Sequence, residues 1–494
     1  MATTGTLVRR VIRWAALAIV GLSSIVVLVA TGWGVRSRDM PDLEPWHVRA
    51  PSSEATAGDL GGEITLADYL RREDAVMREV RDEIEPRTRP ELQSPWNRYA
   101  IGSPLNPRNL PHDWNRTFEL EPATLEGGAL LVHGMTDSPY SMRTIARVLQ
   151  ESGYYSLALR MPGHGTVPAG LARARWQDWA AAVRLGARHV RQKIGPGKPL
   201  ILVGYSNGGA LSVLYTLQAL EDQSLPKPDR IVLISPMIGV TPAARLAPVV
   251  SLFSGLPWFN RGAWTSIQPE YNPFKYNSFP ANAGYQSFLL TREIDRGITR
   301  QYQSGQLKAF PPVLTFQSIV DSTVVTGAVV DRFYDQLPAN GSALVMFDLN
   351  RISPAHAFMR REVDGLFARL FGGTARSYRV TAVTNASTSV ADVVARDVEP
   401  GTTTTHDTPL GAAWPPLVFS LSHIALPFPT DDPLYGITPD ERENYGVRLG
   451  KLDPRGERGV LLMSVDDLMR LTSNPFFPYL EQRLRSWIAP QADR

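Results

Sequence analysis

The 494-residue sequence predicts an α/β fold: a mostly parallel central sheet flanked by helices, with an inserted cap and an N-terminal transmembrane helix. Three observations carry this. Six short apolar runs between residues 129 and 347 alternate with helix-patterned stretches. An uncharged run, Trp14 to Val35, follows three arginines near the N-terminus. An aromatic-rich stretch over 236–311 separates two of the apolar runs and is far too long for an ordinary connection.

Taken in order, residues 1–13 read as a cytoplasmic N-terminus and 14–35 as a transmembrane anchor. The run would rise about 33 Å as a helix, enough to cross a bilayer core. Arg9, Arg10 and Arg13 supply the flank that favours the cytoplasmic side, so everything after Arg36 is expected on the other side. The competing reading is a signal segment cut near Ala30-Thr31-Gly32, with a secreted or periplasmic product. Residues 36–115 read as a linker and N-terminal extension. Pro41, Pro45, Pro51, Gly58, Gly61 and Gly62 mark the linker. Thr65 and Asp68 then form a capping-box pattern ahead of a charged surface helix over 65–84.

The core's first part is 116–235. Ala129–Val132, Tyr155–Leu159, Leu200–Val203 and Ile231–Ile234 read as buried strands, alternating with helices at 141–152, 176–194 and 209–220. The cap insertion occupies 236–311. The core's second part, 312–494, holds strands at Val313–Phe316 and Ala343–Phe347, a helix at 326–337, and an insertion near 350–415 with a further strand candidate at 378–383. Continuous apolar strands joined by helices imply a parallel sheet covered on both faces.

Composition excludes several functions. The chain has no Cys, so it holds no disulfide, thiolate metal site or cysteine nucleophile. The net charge of +3 comes from the leader: residues 1–38 hold five Arg and no acid, leaving 46 basic against 48 acidic residues. That argues against nucleic acid as a partner. No His pair has zinc-site spacing, and there is neither a phosphate-loop nor a dinucleotide motif, so no metal and no cofactor are expected.

Gly204-Tyr-Ser-Asn-Gly208 fits G-x-S-x-G, and it lies between a strand and a small-residue helix, the context that gives the motif meaning. Ser206 is the candidate nucleophile. A serine hydroxyl needs a base, and the base needs a carboxylate to fix its tautomer. Asp321, just past the strand Val313–Phe316, is the candidate acid. Two histidines compete for the base. His356 follows the sixth strand, whereas His423 ends the strand-like run 418–423 beside an apolar wall and is preferred. The backbone N–H groups of Met135 and Asn207 are the candidate oxyanion donors. His133 and His164 read as structural.

Leu131-Val-His-Gly-Met-Thr-Asp-Ser-Pro139, Met161-Pro-Gly-His-Gly165, Gly204-Tyr-Ser-Asn-Gly-Gly209 and Asp321 together resemble α/β-hydrolases of the monoacylglycerol lipase, carboxylesterase and serine aminopeptidase-like group. The resemblance covers roughly 116–349 and the stretch around His423. It departs from the group in the long gap between Asp321 and His423. It implies the α/β-hydrolase fold and a serine hydrolase acting on a small-molecule ester, with an acyl-enzyme on a Ser206-His423-Asp321 triad. The aromatic cap suggests a substrate with an apolar group. A peptidase or amidase with the same triad, in which Glu270 or Glu293 could capture an amine, is one alternative. An acyltransferase and a non-catalytic, membrane-tethered protein are others.

Overall fold

Ten strands form one sheet in the computed structural model, which describes residues 40–62, 64–239, 260–321, 326–352, 362–416, 418–451 and 470–489, with 12–17, 20, 21, 24 and 32. The strands are β1 (Phe118–Leu120), β2 (Gly127–Val132), β3 (Tyr154–Leu159), β4 (Leu200–Tyr205), β5 (Arg230–Ile234), β6 (Val313–Ser318), β7 (Ala343–Phe347), β8 (Arg379–Ser387), β9 (Val390–Val398) and β10 (Thr405–Ala413). Their spatial order is β1-β3-β2-β4-β5-β6-β7-β8-β9-β10. From β3 to β8 every pair is parallel; β1 on β3 and the β8-β9-β10 meander are antiparallel. The chain leaves β2 on one side to form β3 and returns on the other to form β4. The strand order therefore reverses between β2 and β4, and a crevice opens there at the strands' carboxyl ends.

The helices are α1 (Leu66–Glu79), α2 (Arg143–Glu151), α3 (Pro168–Arg173), α4 (Trp176–Ile194), α5 (Asn207–Glu221), α6 (Ala281–Ser304), α7 (Glu362–Phe371) and α8 (Phe477–Ile488). β2, β3, β4, β6 and β7 are buried at every position, as strands covered on both faces must be. Alternate side chains feed two cores. Leu130, Val132, Leu200 and Leu202 pack with α4 and α5, while Ala129, Leu131, Ile201 and Val203 pack with α2 and α8.

Several expectations change. Residues 40–62, read as linker, are packed: Trp46, Ala55 and Leu60 are buried, and Trp46 stacks on Tyr99 at 4.7 Å. The apolar residues between the prolines find a surface to cover, which composition alone does not reveal. The capping box is formed, with Asp68 N donating to Thr65 Oγ1 (3.2 Å) and Thr65 N to Asp68 Oδ2 (2.9 Å). The helix it opens is more than a surface feature. Tyr69 OH donates to Arg160 O at 2.6 Å, and Glu73 pairs with Arg160.

Within the expected cap, α6 lies against α5, where Gln301 Nε2 donates to Leu217 O and Arg300 pairs with Glu221. Its buried residues Leu290, Ile294 and Ile298 belong to the larger core cluster. The expected insertion near 350–415 supplies β8, β9 and β10, which extend the main sheet from β7. The helix expected over 326–337 is broken into a helical turn (Thr326–Ala328), a π turn (Val329–Phe333) and a 3-10 turn (Tyr334–Gln336). Most of the expected transmembrane span 14–35 lies outside the described residues. Among the described residues no helix is long and apolar enough to cross a membrane.

Two buried arginines tie the outer segments to the core. Arg160, after β3, meets Glu54 at 2.8 Å and Glu73 at 3.3 Å from the N-terminal extension. Arg143, at the start of α2, meets Asp432 at 3.3 Å and Glu443 at 2.5 Å from the C-terminal arm. Removing the guanidinium in Arg160→Ala would strand two carboxylates away from water. It is expected to cost about 3–5 kcal/mol in urea unfolding; a loss under about 1 kcal/mol would mean that water already reaches the pair.

Candidate active site

The turn from β4 into α5 has no room for side chains at its glycines. A Cβ on Gly204 would stand 2.4 Å from Gly208 O, and one on Gly208 only 1.9 Å from Val132 O. Ser206, between them, is forced to φ 54° and ψ −114°, a conformation L-residues rarely hold. Its N–H donates to Ile234 O at 2.9 Å, and its carbonyl accepts from Met237, Gly209 and Ala210 N–H groups. The side chain therefore stands at the head of α5, above the β2–β4 crevice.

Gly134 follows β2 and closes the other side. A Cβ there would lie 3.2 Å from Ser206 Cβ and 3.1 Å from the Tyr205 ring. The next residues hold the loop in a second strained state, with Thr136 at φ 62°. Tyr276 secures it by donating its N–H to Thr136 O at 2.8 Å. Neither Met135 N–H, in this loop, nor Asn207 N–H, the first of α5, donates to a carbonyl among the described residues. Both are available to an oxyanion, and the α5 N-terminus adds a favourable dipole.

On the adjoining side, His423 Nδ1 meets Asp321 Oδ2 at 2.7 Å. Both side chains are buried, at 7% and 0% exposure, so the bond is shielded from water. Gln317 Nε2 donates to the same carboxylate oxygen at 3.1 Å. The His423 ring lies 5.4 Å, centroid to centroid, from that of Tyr205, the residue before Ser206. Among the described residues Ser206 Oγ makes no hydrogen bond. That is common before substrate binds, when catalytic hydrogen bonds are often long.

A separation of 102 positions along the chain does not keep Asp321 and His423 apart in space. β8 to β10 run out along the sheet and the chain returns over 418–422. There Asn350 Nδ2 donates to Val418 O (2.8 Å), Asn350 N to Phe419 O (2.8 Å) and Ser318 Oγ to Leu421 O (2.8 Å). The segment is thus pinned beyond the ends of β6 and β7. It is no strand, contrary to expectation: its backbone partners are side chains and loop groups, and His423 opens a one-turn 3-10 helix, His423–Ala425. His356, the rival base, lies outside the described residues.

His133 and His164 are both fully buried. Met161 N–H donates to His133 Nε2 (3.1 Å), so Nδ1–H is the donor to Gly134 O (2.9 Å). This ring bridges the loops after β2 and β3. His164 Nδ1 bonds Pro162 O, and the two rings meet edge to face at 5.0 Å. Burial pushes His133 down to about 4 and His164 well below the ordinary histidine range. Glu270 holds the N–H groups of Asn277 (3.0 Å) and Ser278 (2.9 Å), one with each oxygen. Glu293 lies on α6 and pairs with Arg296 at 3.6 Å.

Two charged residues at this site escaped the sequence reading. Asp137, in the loop after Met135, is buried, and desolvation pushes its carboxyl up to about 6 against the pull of Lys275 and His423. Lys275 precedes the Tyr276 that braces the loop. The one sequence signal was its rarity, since nearly all other cations in the chain are Arg.

A family model described as serine aminopeptidase, S33, matches residues 125–278, the stretch that carries β2 to β5 and the Ser206 turn. This chain has an α/β-hydrolase core. Over 86 residues it is 36% identical to a thermostable monoacylglycerol lipase of Bacillus sp. (strain H-257), covering 17% of this chain and 33% of that one. Over 96 residues it is 31% identical to a carboxylesterase of Bacillus subtilis (strain 168), covering 19% and 38%. The matched stretches span little more than a third of those relatives' length. A monoglyceride lipase of Saccharomyces cerevisiae, solved as a soluble variant with a substrate analogue, aligns at 16% identity and a TM-score of 0.34, over 47% of this chain and 81% of that one.

The buried histidines set a pH limit on the stability of this fold. The unfolded chain protonates His133 near 6.5 and the folded one near 4. Stability is therefore complete above about pH 6.5 and falls as pH drops towards 4. Urea unfolding at pH 7 and pH 5 should differ by about 1–2 kcal/mol from this ring alone. His133→Gln should flatten that slope; an unchanged slope would assign it to other groups.

Proposed function

We propose that the protein is a serine hydrolase that cleaves carboxylic esters, in the manner of lipases and carboxylesterases, through an acyl-enzyme on Ser206. The observation that carries this is the Asp321–His423 hydrogen bond beside a serine held in a strained turn between two available N–H groups. With Nδ1–H donating to Asp321, neutral His423 keeps Nε2 as its proton acceptor. As Ser206 Oγ attacks the ester carbonyl, Nε2 takes its proton and Asp321 stabilises the imidazolium. Met135 and Asn207 N–H groups receive the negative charge on the carbonyl oxygen. The imidazolium then protonates the departing alcohol. Water, deprotonated by His423, attacks the acyl-enzyme and releases the acid.

An amide-cleaving variant is the second reading, favoured by the name of the matching family model. The burial of Glu270, 1% exposed with backbone N–H groups on both oxygens, supports the ester reading over it, because a substrate ammonium does not reach it. The aromatic cap residues Trp264, Phe274 and Tyr276 are buried as packing, so they add little to the expectation of an apolar substrate.

Ser206→Ala should lower hydrolysis of a short 4-nitrophenyl ester by about 10⁴-fold or more with the fold intact, and His423→Ala comparably. Asp321→Asn should lose about 10³–10⁴-fold. Activity retained in Ser206→Ala would end the reading, and loss in His356→Ala with retention in His423→Ala would reassign the base. A panel of matched esters and amides separates the two readings.

We further propose that residues 14–35 anchor the chain in a membrane with the catalytic part on the non-cytoplasmic side. Full-length protein should then resist carbonate extraction and be digested by protease added outside spheroplasts. A mature N-terminus near Thr31 would show cleavage instead.

A further inference from the structure

A carboxylate that orients a catalytic ring must itself be held. Asp321 stands on the loop after β6. Gln317 lies within β6, a strand paired on both sides, and is fully buried. Strands place side chains more tightly than loops do.

The Gln317 amide turns its nitrogen to three acceptors. Nε2 lies 3.1 Å from Asp321 Oδ2, 3.3 Å from Ser318 O and 3.3 Å from Thr326 Oγ1. Carboxylate and carbonyl oxygens only accept, so the N–H end of the amide has to face them. Thr326 Oγ1 donates its own proton to Ser318 O at 3.1 Å, which leaves it an acceptor towards Gln317. The amide is thereby fixed in orientation. It meets the same oxygen that His423 Nδ1 meets at 2.7 Å. The other end of the side chain gains nothing: among the described residues Gln317 Oε1 has no hydrogen-bond partner, although it is buried. An unpartnered amide oxygen away from water destabilises a fold, and a methionine would fill similar space without that cost. The nitrogen's contact with Asp321 gives the residue a reason.

We propose that Gln317 is a positioning residue of the triad: it holds the Asp321 carboxylate so that Oδ2 stays aligned with the Nδ1–H of His423. This rests on the serine-hydrolase reading. The side chain of Gln317 bonds neither Ser206 nor His423 among the described residues, so it acts through Asp321. Losing its donor loosens the carboxylate, and with it the tautomer and tilt of the imidazole.

Gln317→Met keeps the length and removes the donor. It should lower kcat for a short 4-nitrophenyl ester by about 10–100-fold with KM little changed, because misalignment slows the chemical step and not binding. The downfield proton resonance of the His423 Nδ1–H, identified by its absence in His423→Ala, should move. A residue that merely fills space would leave both readouts unchanged. Gln317→Glu keeps the shape and makes the donor depend on protonation, since two carboxyls in contact hold one proton between them. Its kcat relative to wild type should be highest at acid pH and fall as pH rises. Asp137 acts on His423 and Tyr205 on Asp321 by charge in wild type and variant alike, so a change in that ratio reports the new carboxyl.

Fluorophosphonate labelling of Ser206 in the wild-type protein tests the serine reading by itself. Normal labelling, with kcat of Gln317→Met within about 2-fold of wild type and the resonance unmoved, would overturn the proposal and leave the nucleophile in place. If Gln317→Met fails to fold, a Gln317→Glu ratio that is flat with pH overturns it equally. Absence of labelling in the wild-type protein would overturn both.

Discussion

Where β4 runs into α5, three backbones occupy the space that side chains would need. The end of β2, the end of β4 and the first turn of α5 approach so closely that a methyl group on Gly208 would overlap Val132 O at 1.9 Å. This close approach orders the rest of the site. It brings the loop after β2 against the serine turn, and it leaves the α5 N-terminus aimed at the same point. It also forces Ser206 into a left-handed conformation. Thr136 and Ser235, after the neighbouring strands β2 and β5, share that property at φ 62° and 43°. Each strained residue is secured by a bond from outside its own turn: Ser206 N to Ile234 O, Ser235 N to Phe316 O, and Tyr276 N to Thr136 O. Strain concentrated on one rim of a parallel sheet is stable only because the sheet beneath is buried on both faces.

Charge buried away from that rim holds the outer segments. Arg160 and Arg143 reach in opposite directions along the chain, one to the N-terminal extension and the other to the C-terminal arm. Each is nearly inaccessible to water, so its carboxylates are placed by desolvation as much as by attraction. The arm also closes the second face of the sheet through α8, where Tyr154 OH donates to Ile488 O at 2.9 Å and Arg485 pairs with Glu151. Segments far apart in sequence thereby become walls of one molecule.

The histidines divide by partner. His133, His164 and His47 are buried among carbonyls, hydroxyls and backbone N–H groups, and they are kept neutral by desolvation. His423 alone among the described histidines bonds a buried carboxylate. The difference lies in what surrounds each ring and cannot be read from the ring itself.

The sequence by itself determined the repeating part of the fold. Apolar runs of strand length set β2 to β7, because a strand covered on both faces must be apolar at nearly every position. The glycines of the Ser206 turn were legible for a similar reason: a backbone approach that excludes Cβ leaves a compositional trace. Asp321 was legible from its place past β6. Tertiary structure alone decided the rest. Residues 40–62 looked like linker because packing against a distant surface has no local period. β10 escaped because an exposed edge strand carries polar residues, and β9 because charged residues interrupt its short buried middle. His423 reaches Asp321 only because Asn350 and Ser318 pin the returning chain, and such side-chain-to-backbone bonds leave no pattern in composition. Asp137 became visible only when the fold buried it within electrostatic reach of His423, since desolvation is a property of place and not of residue type.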